Sequence, residues 1–211
     1  MSSGVYLVGP PGSGKSSVMR ELLDLLGLGT GEQFKLLPGE PGSAGALRAE
    51  PLEDVVTGEV RGMYLGLTRE PFPGSDALGL NTHPTMIRWS DALADEDAPE
   101  LLLAEGARFG TVAALGALAR WCELGVVHLD CEEEIARERR EERNKRYPGS
   151  GRHGRPTAAS PSYVKTQRTK ARRAAEGAAA ELGLPVLWLH SDETSPRELA
   201  ERILDWAPVI G

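Results

Sequence analysis

Within eight residues, Gly9-Pro10-Pro11-Gly12-Ser13-Gly14-Lys15-Ser16 gathers the groups that hold a polyphosphate. The spacing is Gly-x-x-x-x-Gly-Lys-Ser. An apolar run, Val5-Tyr6-Leu7-Val8, precedes it and a helical apolar pattern follows. Glycines let the backbone curl until successive N–H groups converge on phosphate oxygens, and the helix behind them adds its positive dipole end. Lys15 is expected to reach the β- and γ-phosphates of ATP, Ser16 to ligate Mg²⁺, and Ser17 to add a phosphate contact. The plain alternative is a Gly-rich turn that fits the pattern by chance.

A second acid stands at the end of another apolar run, Leu101-Leu102-Leu103-Ala104-Glu105-Gly106. Beside a phosphate loop, this place holds the carboxylate that organises Mg²⁺, usually Asp. Glu105 leaves two roles open, metal binding through water or action on the acceptor. Arg108 is expected in the same cleft, and a simple Glu105–Arg108 ion pair is the alternative. Arg139 and Arg143 lie four apart, hence on one helix face, with no acid three or four residues before either. Two such guanidiniums favour an anion between them. Glu133–Arg137, Glu141–Lys145 and Glu142–Arg146 have i, i+4 spacing and are expected to pair at the surface. Arg152 and Arg155 lie in the following Gly-rich segment and are expected to close over the same anion. Asp76 is the first candidate for taking a proton from an acceptor hydroxyl, with Glu70 as runner-up. Asp76 could instead cap a helix from Ala77. Trp89 suits either base stacking or a core position.

These groups need elements to position them. Val5–Val8, 60–67, 101–104, 126–129 and 185–190 read as strands, and the second is expected to pair with Val55-Val56. The intervening helical patterns run to Leu26, over 82–93, 110–124 and 132–146, from Ser162 to Leu182, and from Ser195-Pro196 to Trp206. Residues 27–50 read as an irregular excursion, 68–81 as a long loop and 147–160 as a flexible loop. Strands alternating with helices predict an α/β fold, a three-layer P-loop NTPase arrangement with a parallel sheet, helices on both faces and a small lid. The 211 residues suit a single domain, 1–211, with the acceptor region at about 68–98 and the lid at about 147–157.

The net charge of −7 argues against a polyanionic partner, but it is unevenly spread. Residues 137–173 hold thirteen Lys/Arg against three Asp/Glu, a basic block of +10 inside an acidic chain. Two cysteines and four histidines show no metal or disulfide spacing, and no Gly-x-Ser-x-Gly elbow supports a serine hydrolase. No apolar run is long enough to span a membrane, and residues 1–8 lack a basic start and a long apolar stretch, so a cytoplasmic compartment is expected.

Gly9–Ser16, followed by Leu129-Asp130, Arg139, Arg143 and Pro148-Gly149-Ser150-Gly151-Arg152, resembles the nucleoside monophosphate kinases, adenylate kinase in particular. The resemblance implies that Arg139 and Arg143 contact the adenine face and the ATP phosphates, with Arg152 in the lid. Glu105-Gly106-Ala107-Arg108 stands where adenylate kinases have Asp-Gly-Phe-Pro-Arg, which counts against AMP as acceptor. Glu70 before a proline resembles deoxynucleoside kinases. Phe72–Asn81 with the Glu105–Arg108 segment resembles phage kinases of 5-hydroxymethyluracil in DNA. The expected function is ATP- and Mg²⁺-dependent transfer of the γ-phosphoryl group to a hydroxyl or phosphate of a nucleoside- or nucleotide-like acceptor. Lys15, Arg139 and Arg143 then hold the transferring charge, Ser16 and Glu105 the metal, and Asp76 or Glu70 the nucleophile, with Arg108 in the same cleft. A hydroxymethyluracil base in DNA is the alternative acceptor; Lys165, Arg168 and Arg172 would then grip its phosphates. A nucleotide-binding switch without an acceptor is the reading from another class. The sequence leaves the oligomeric state open.

Overall fold

Ser2–Val8 forms strand β1, and every one of its residues is buried in the computed structural model. Alternate side chains take opposite faces, Tyr6 and Val8 into one core cluster and Val5 and Leu7 into another. The structure describes residues 2–37, 46–79, 81–93, 98–148 and 160–207. After β1 come α1 (Lys15–Leu25), β2 (Leu28–Thr30), β3 (Phe34–Leu37), β4 (Leu47–Asp54) and β5 (Val60–Leu65). Then follow α2 (Thr82–Ala92), β6 (Leu101–Glu105), α3 (Val112–Leu118), β7 (Cys122–Asp130) and α4 (Glu133–Arg146). The chain continues through α5 (Pro161–Leu182), β8 (Val186–His190) and α6 (Pro196–Trp206).

The sheet order is β2-β4-β5-β6-β1-β7-β8, with β3 also paired to β4. From β5 to β8 every pairing is parallel; β2, β3 and β5 all pair with β4 in antiparallel fashion. Helices cover both faces. Met86 and Trp89 of α2, Leu115 and Leu118 of α3, and Ala174, Ala175 and Ala178 of α5 pack on one side. Val18, Met19 and Leu22 of α1 and Leu199, Ala200 and Ile203 of α6 pack on the other. Three layers of an α/β fold result, as the alternating pattern predicts. No helix among the described residues is long and apolar enough to cross a membrane.

Three expectations need correction. Residues 27–50 are not simply irregular: β2, β3 and the start of β4 lie there. Glycine, proline and glutamate hide the strand character, yet Leu47, Ala49 and Leu52 are fully buried and hold β4 in the sheet. Val55-Val56 does not pair with the second strand; both valines lie exposed at the turn between β4 and β5. The helix expected over 110–124 is shorter, because Cys122 to Asp130 forms β7, in register with β1 from Ser2↔Cys122 to Val8↔His128. Sheet pairing here overrides local helix propensity. Most of the expected lid, with Arg152 and Arg155, lies outside the described residues.

Candidate functional site

The loop after β1 begins at the C-terminal end of the central strand, where ligands bind in sheets of this kind. Gly12 and Gly14 have φ of 93° and 88°, a left-handed backbone that glycine adopts without strain. At Gly12 a Cβ would press on the Ala136 backbone of α4, so the loop lies directly against that helix. Arg140, buried on α4, donates to the Pro11 carbonyl at 2.8 Å and to Glu133 at 2.7 Å. Arg139 donates to Ser191 Oγ at 2.8 Å and to Ser191 O at 2.7 Å, and Ser191 Oγ donates to Ser13 O at 2.8 Å. α4 and the end of β8 therefore hold the loop from behind.

Lys15 Nζ donates to the carbonyls of Gly9 and Pro10, each at 3.0 Å. Burial lowers its pKa, while Glu105 and Asp76 favour the charged form. Ser16 Oγ donates to Glu105 Oε2 at 3.0 Å, and Tyr64 Oη donates to Oε1 at 3.1 Å. Glu105 is 2% exposed. Burial raises its pKa to about 7, against the opposing pull of Lys15 and of the Ser16 and Tyr64 hydrogen bonds. Ser16 and Glu105 supply hard oxygen donors side by side. Among the described residues no group of three His, Cys, Asp or Glu could hold a metal alone. The Ser16–Glu105 pair suits Mg²⁺, which takes one or two protein oxygens and completes its shell with phosphate and water. Ser13 Oγ, buried in the loop without a partner among the described residues, is a donor suited to a phosphate oxygen.

The acceptor side is built on Gly106, whose φ of 113° turns the chain sharply after β6. A Cβ there would sit 2.5 Å from Ser75 Oγ. The close approach lets Ala107 N donate to Asp76 Oδ1 at 3.1 Å. Tyr6 Oη donates to Gly106 O at 3.0 Å and lies 3.3 Å from Ser75 Oγ. Asp76 sits inside a single 3₁₀ turn, Ser75–Ala77, and does not cap a helix from Ala77. Arg108 does not pair with Glu105; its donors go to the carbonyls of Ser75 and Asp76 at 3.1 and 3.4 Å. Glu70 receives Arg20 of α1 at 2.9 Å. The Phe72 ring lies beneath Arg143, whose Cζ is 4.7 Å from the ring centroid. Burial depresses the Arg143 pKa, and nearby Arg140 adds to the effect.

A cleft of about 990 Å³ joins Lys15, Ser16, Asp76, Glu105, Arg108 and Arg143. Gly9, Pro11, Gly12, Gly14, Ser17, Glu70 and Arg139 line it as well. Trp89 takes the core alternative, packed edge-on to Trp121 at 5.7 Å. Two of the three basic residues expected to face DNA are neutralised. Arg168 meets Asp130 and Glu133 at 3.4 and 3.5 Å, and Arg172 meets Glu176 at 2.8 Å. The surface pairing also differs: Arg137 reaches forward to Glu141, and Glu133 receives Arg140. Sequence reasoning missed Arg140, Ser191, Tyr64 and the contact between Phe72 and Arg143. Ser191 carried a usable signal, since it follows a parallel strand at its C-terminal end. Arg140 carried none, because its partners are a loop carbonyl and an acid seven residues away.

No curated protein sequence matches the chain. The family model described as P-loop Nucleotide Kinase3 matches residues 2–186. Among solved structures, the chain is similar to an unliganded sugar kinase from Janibacter sp. HTCC2649. The identity is 17%, over 99% of this chain and 96% of that one, with a TM-score of 0.48. It is also similar to shikimate kinase from Acinetobacter baumannii in complex with shikimate, at 15% identity over 98% and 93% of the two chains, with a TM-score of 0.42.

Proposed function

The chain belongs to the P-loop nucleotide kinase 3 family, and from that premise we propose an ATP- and Mg²⁺-dependent kinase that passes the γ-phosphoryl group to a hydroxyl or phosphate of a nucleoside- or nucleotide-like acceptor. The observation that carries the reading is the convergence of Lys15, Ser16 and buried Glu105 at the mouth of a left-handed glycine loop. The loop N–H groups and Lys15 bind the phosphates. Ser16 and Glu105 would hold Mg²⁺, which when bound neutralises charge on the phosphate oxygens. Arg143 faces the transferring group, and Arg139 braces the loop through Ser191 while lining the same cleft. Asp76 takes the proton from an acceptor hydroxyl, and the Ala107 N–H on Oδ1 steadies the carboxylate for it. Arg108 holds the Asp76 turn from behind by its backbone carbonyls.

A screen with γ-labelled ATP tests this, with nucleosides, nucleotides and DNA containing 5-hydroxymethyluracil as acceptors. Label is expected on a small acceptor. Label on the DNA alone would replace the small acceptor with a base in a polymer. Label released only as inorganic phosphate, whatever is added, would replace the kinase with a nucleotide switch.

A further inference from the structure

The loop between β5 and α2 reaches back over the nucleotide half of the cleft. Leu67 and Gly74 close its base with paired backbone hydrogen bonds, 3.3 Å from Leu67 N and 2.7 Å from Gly74 N. Glu50 fixes Thr68 through its N–H at 3.0 Å and its hydroxyl at 2.7 Å. From this base the tip sends Glu70 to Arg20 on α1 and Phe72 to Arg143 on α4. An acceptor-side loop thus touches both helices that frame the phosphate loop.

Arg143 is in an unusual state for a guanidinium. Its Nε is buried and has no hydrogen-bond partner among the described residues. A half-buried cation of this kind gains from compensation, and the Phe72 ring face supplies part of it. A ring face leaves the in-plane N–H groups of a guanidinium free to donate to an anion. Stacking and phosphate binding are therefore compatible, and the ring fixes where the donors point.

We propose that Phe72 is a positioning residue for the nucleotide: its ring holds the Arg143 guanidinium at the phosphate side of the cleft and makes the acceptor loop part of the ATP pocket. The proposal rests on the kinase reading above. It also implies reciprocity, since whatever the loop gives to ATP binding, ATP returns as order in the loop.

Calorimetric titration with MgATP tests it on wild type, Phe72→Leu, Phe72→Tyr, Arg143→Ala and the Phe72→Leu/Arg143→Ala double variant. Phe72→Leu is expected to weaken binding about threefold to tenfold, and Phe72→Tyr to restore it. In the Arg143→Ala background Phe72→Leu is expected to add nothing, because the ring then has no cation to hold. Unchanged binding by Phe72→Leu, or an equal loss in both backgrounds, overturns the proposal. Phe72→Met repeats the comparison should Phe72→Leu unfold, with thermal melting in the absence of ATP as the check. Lys15→Ala is titrated alongside. If it binds MgATP as wild type does, the kinase reading fails and this proposal with it. If Lys15→Ala loses binding while Phe72→Leu does not, only the role of Phe72 falls.

Discussion

Glu105 faces opposite demands from folding and from chemistry. Burial lifts its pKa from an ordinary 4.5 to about 7, so the folded chain binds a proton there more readily than the unfolded chain. The stabilising contribution is full below about pH 4.5 and is lost as pH rises through about 7. Holding a metal needs the ionised form, so activity is expected to rise with pH over the same range. A pH–rate profile of kcat/KM should show an acid limb near 7. Replacing Glu105 with Gln removes the titration. The ATP-free variant is expected to be more stable than wild type at pH 8, by up to about 3 kcal/mol in denaturant unfolding, and to match it near pH 4.5. Its phosphoryl transfer is expected to fall about a hundredfold or more. Lys15→Ala is expected to abolish transfer while leaving the far-ultraviolet circular dichroism spectrum intact, since among the described residues the hydrogen bonds of Lys15 go to carbonyls of its own loop.

Helix α4 contributes to the site more as a brace than as a source of reactive groups. Of its fourteen residues only Ala136 and Arg140 are buried, and both face the phosphate loop. Arg140→Ala leaves the Pro11 carbonyl and Glu133 without their donor. A loss of about 2 kcal/mol is expected in urea denaturation, together with weaker nucleotide binding. The turn after β6 has a comparable sensitivity. Gly106→Ala forces a Cβ into a left-handed backbone against Ser75 and Asp76, so its loss of turnover is expected to exceed its loss of stability. At this scale the sequence is readable where one signal acts alone. Ser195 and Pro196 announce α6, and a capping box between Ser195 and Glu198 is there. It misleads where two compete, as at 122–124, where the Ala- and Leu-rich pattern over 110–124 yields to pairing with β1.

Across the whole molecule, the places of the phosphate loop and Glu105 were legible because each stands at the end of an apolar run, and that of Arg143 because a four-residue spacing puts it on one helix face with Arg139. The contacts between them were not, because partners such as Tyr64 and Glu105 are forty-one residues apart and meet only through sheet pairing. The basic block was legible as composition but not as a surface. Four of its arginines answer Asp130, Glu133, Glu141 and Glu176, and all of these acids but Glu141 lie outside the block. Nucleotide linkage offers a test on the intact fold. MgATP at about a hundred times its Kd is expected to add about 2.7 kcal/mol, or roughly 5–10 °C in Tm, to wild type and little to Lys15→Ala. The strand order has one further consequence. β1 leaves the ribosome first, yet its neighbours β6 and β7 begin at Leu101 and Cys122. During synthesis β1 stays unpaired until β6 emerges, and it lacks its second neighbour until β7 follows. The glycine loop is then closed late, and nascent chains should be most open to capture by a chaperone before β7 is complete.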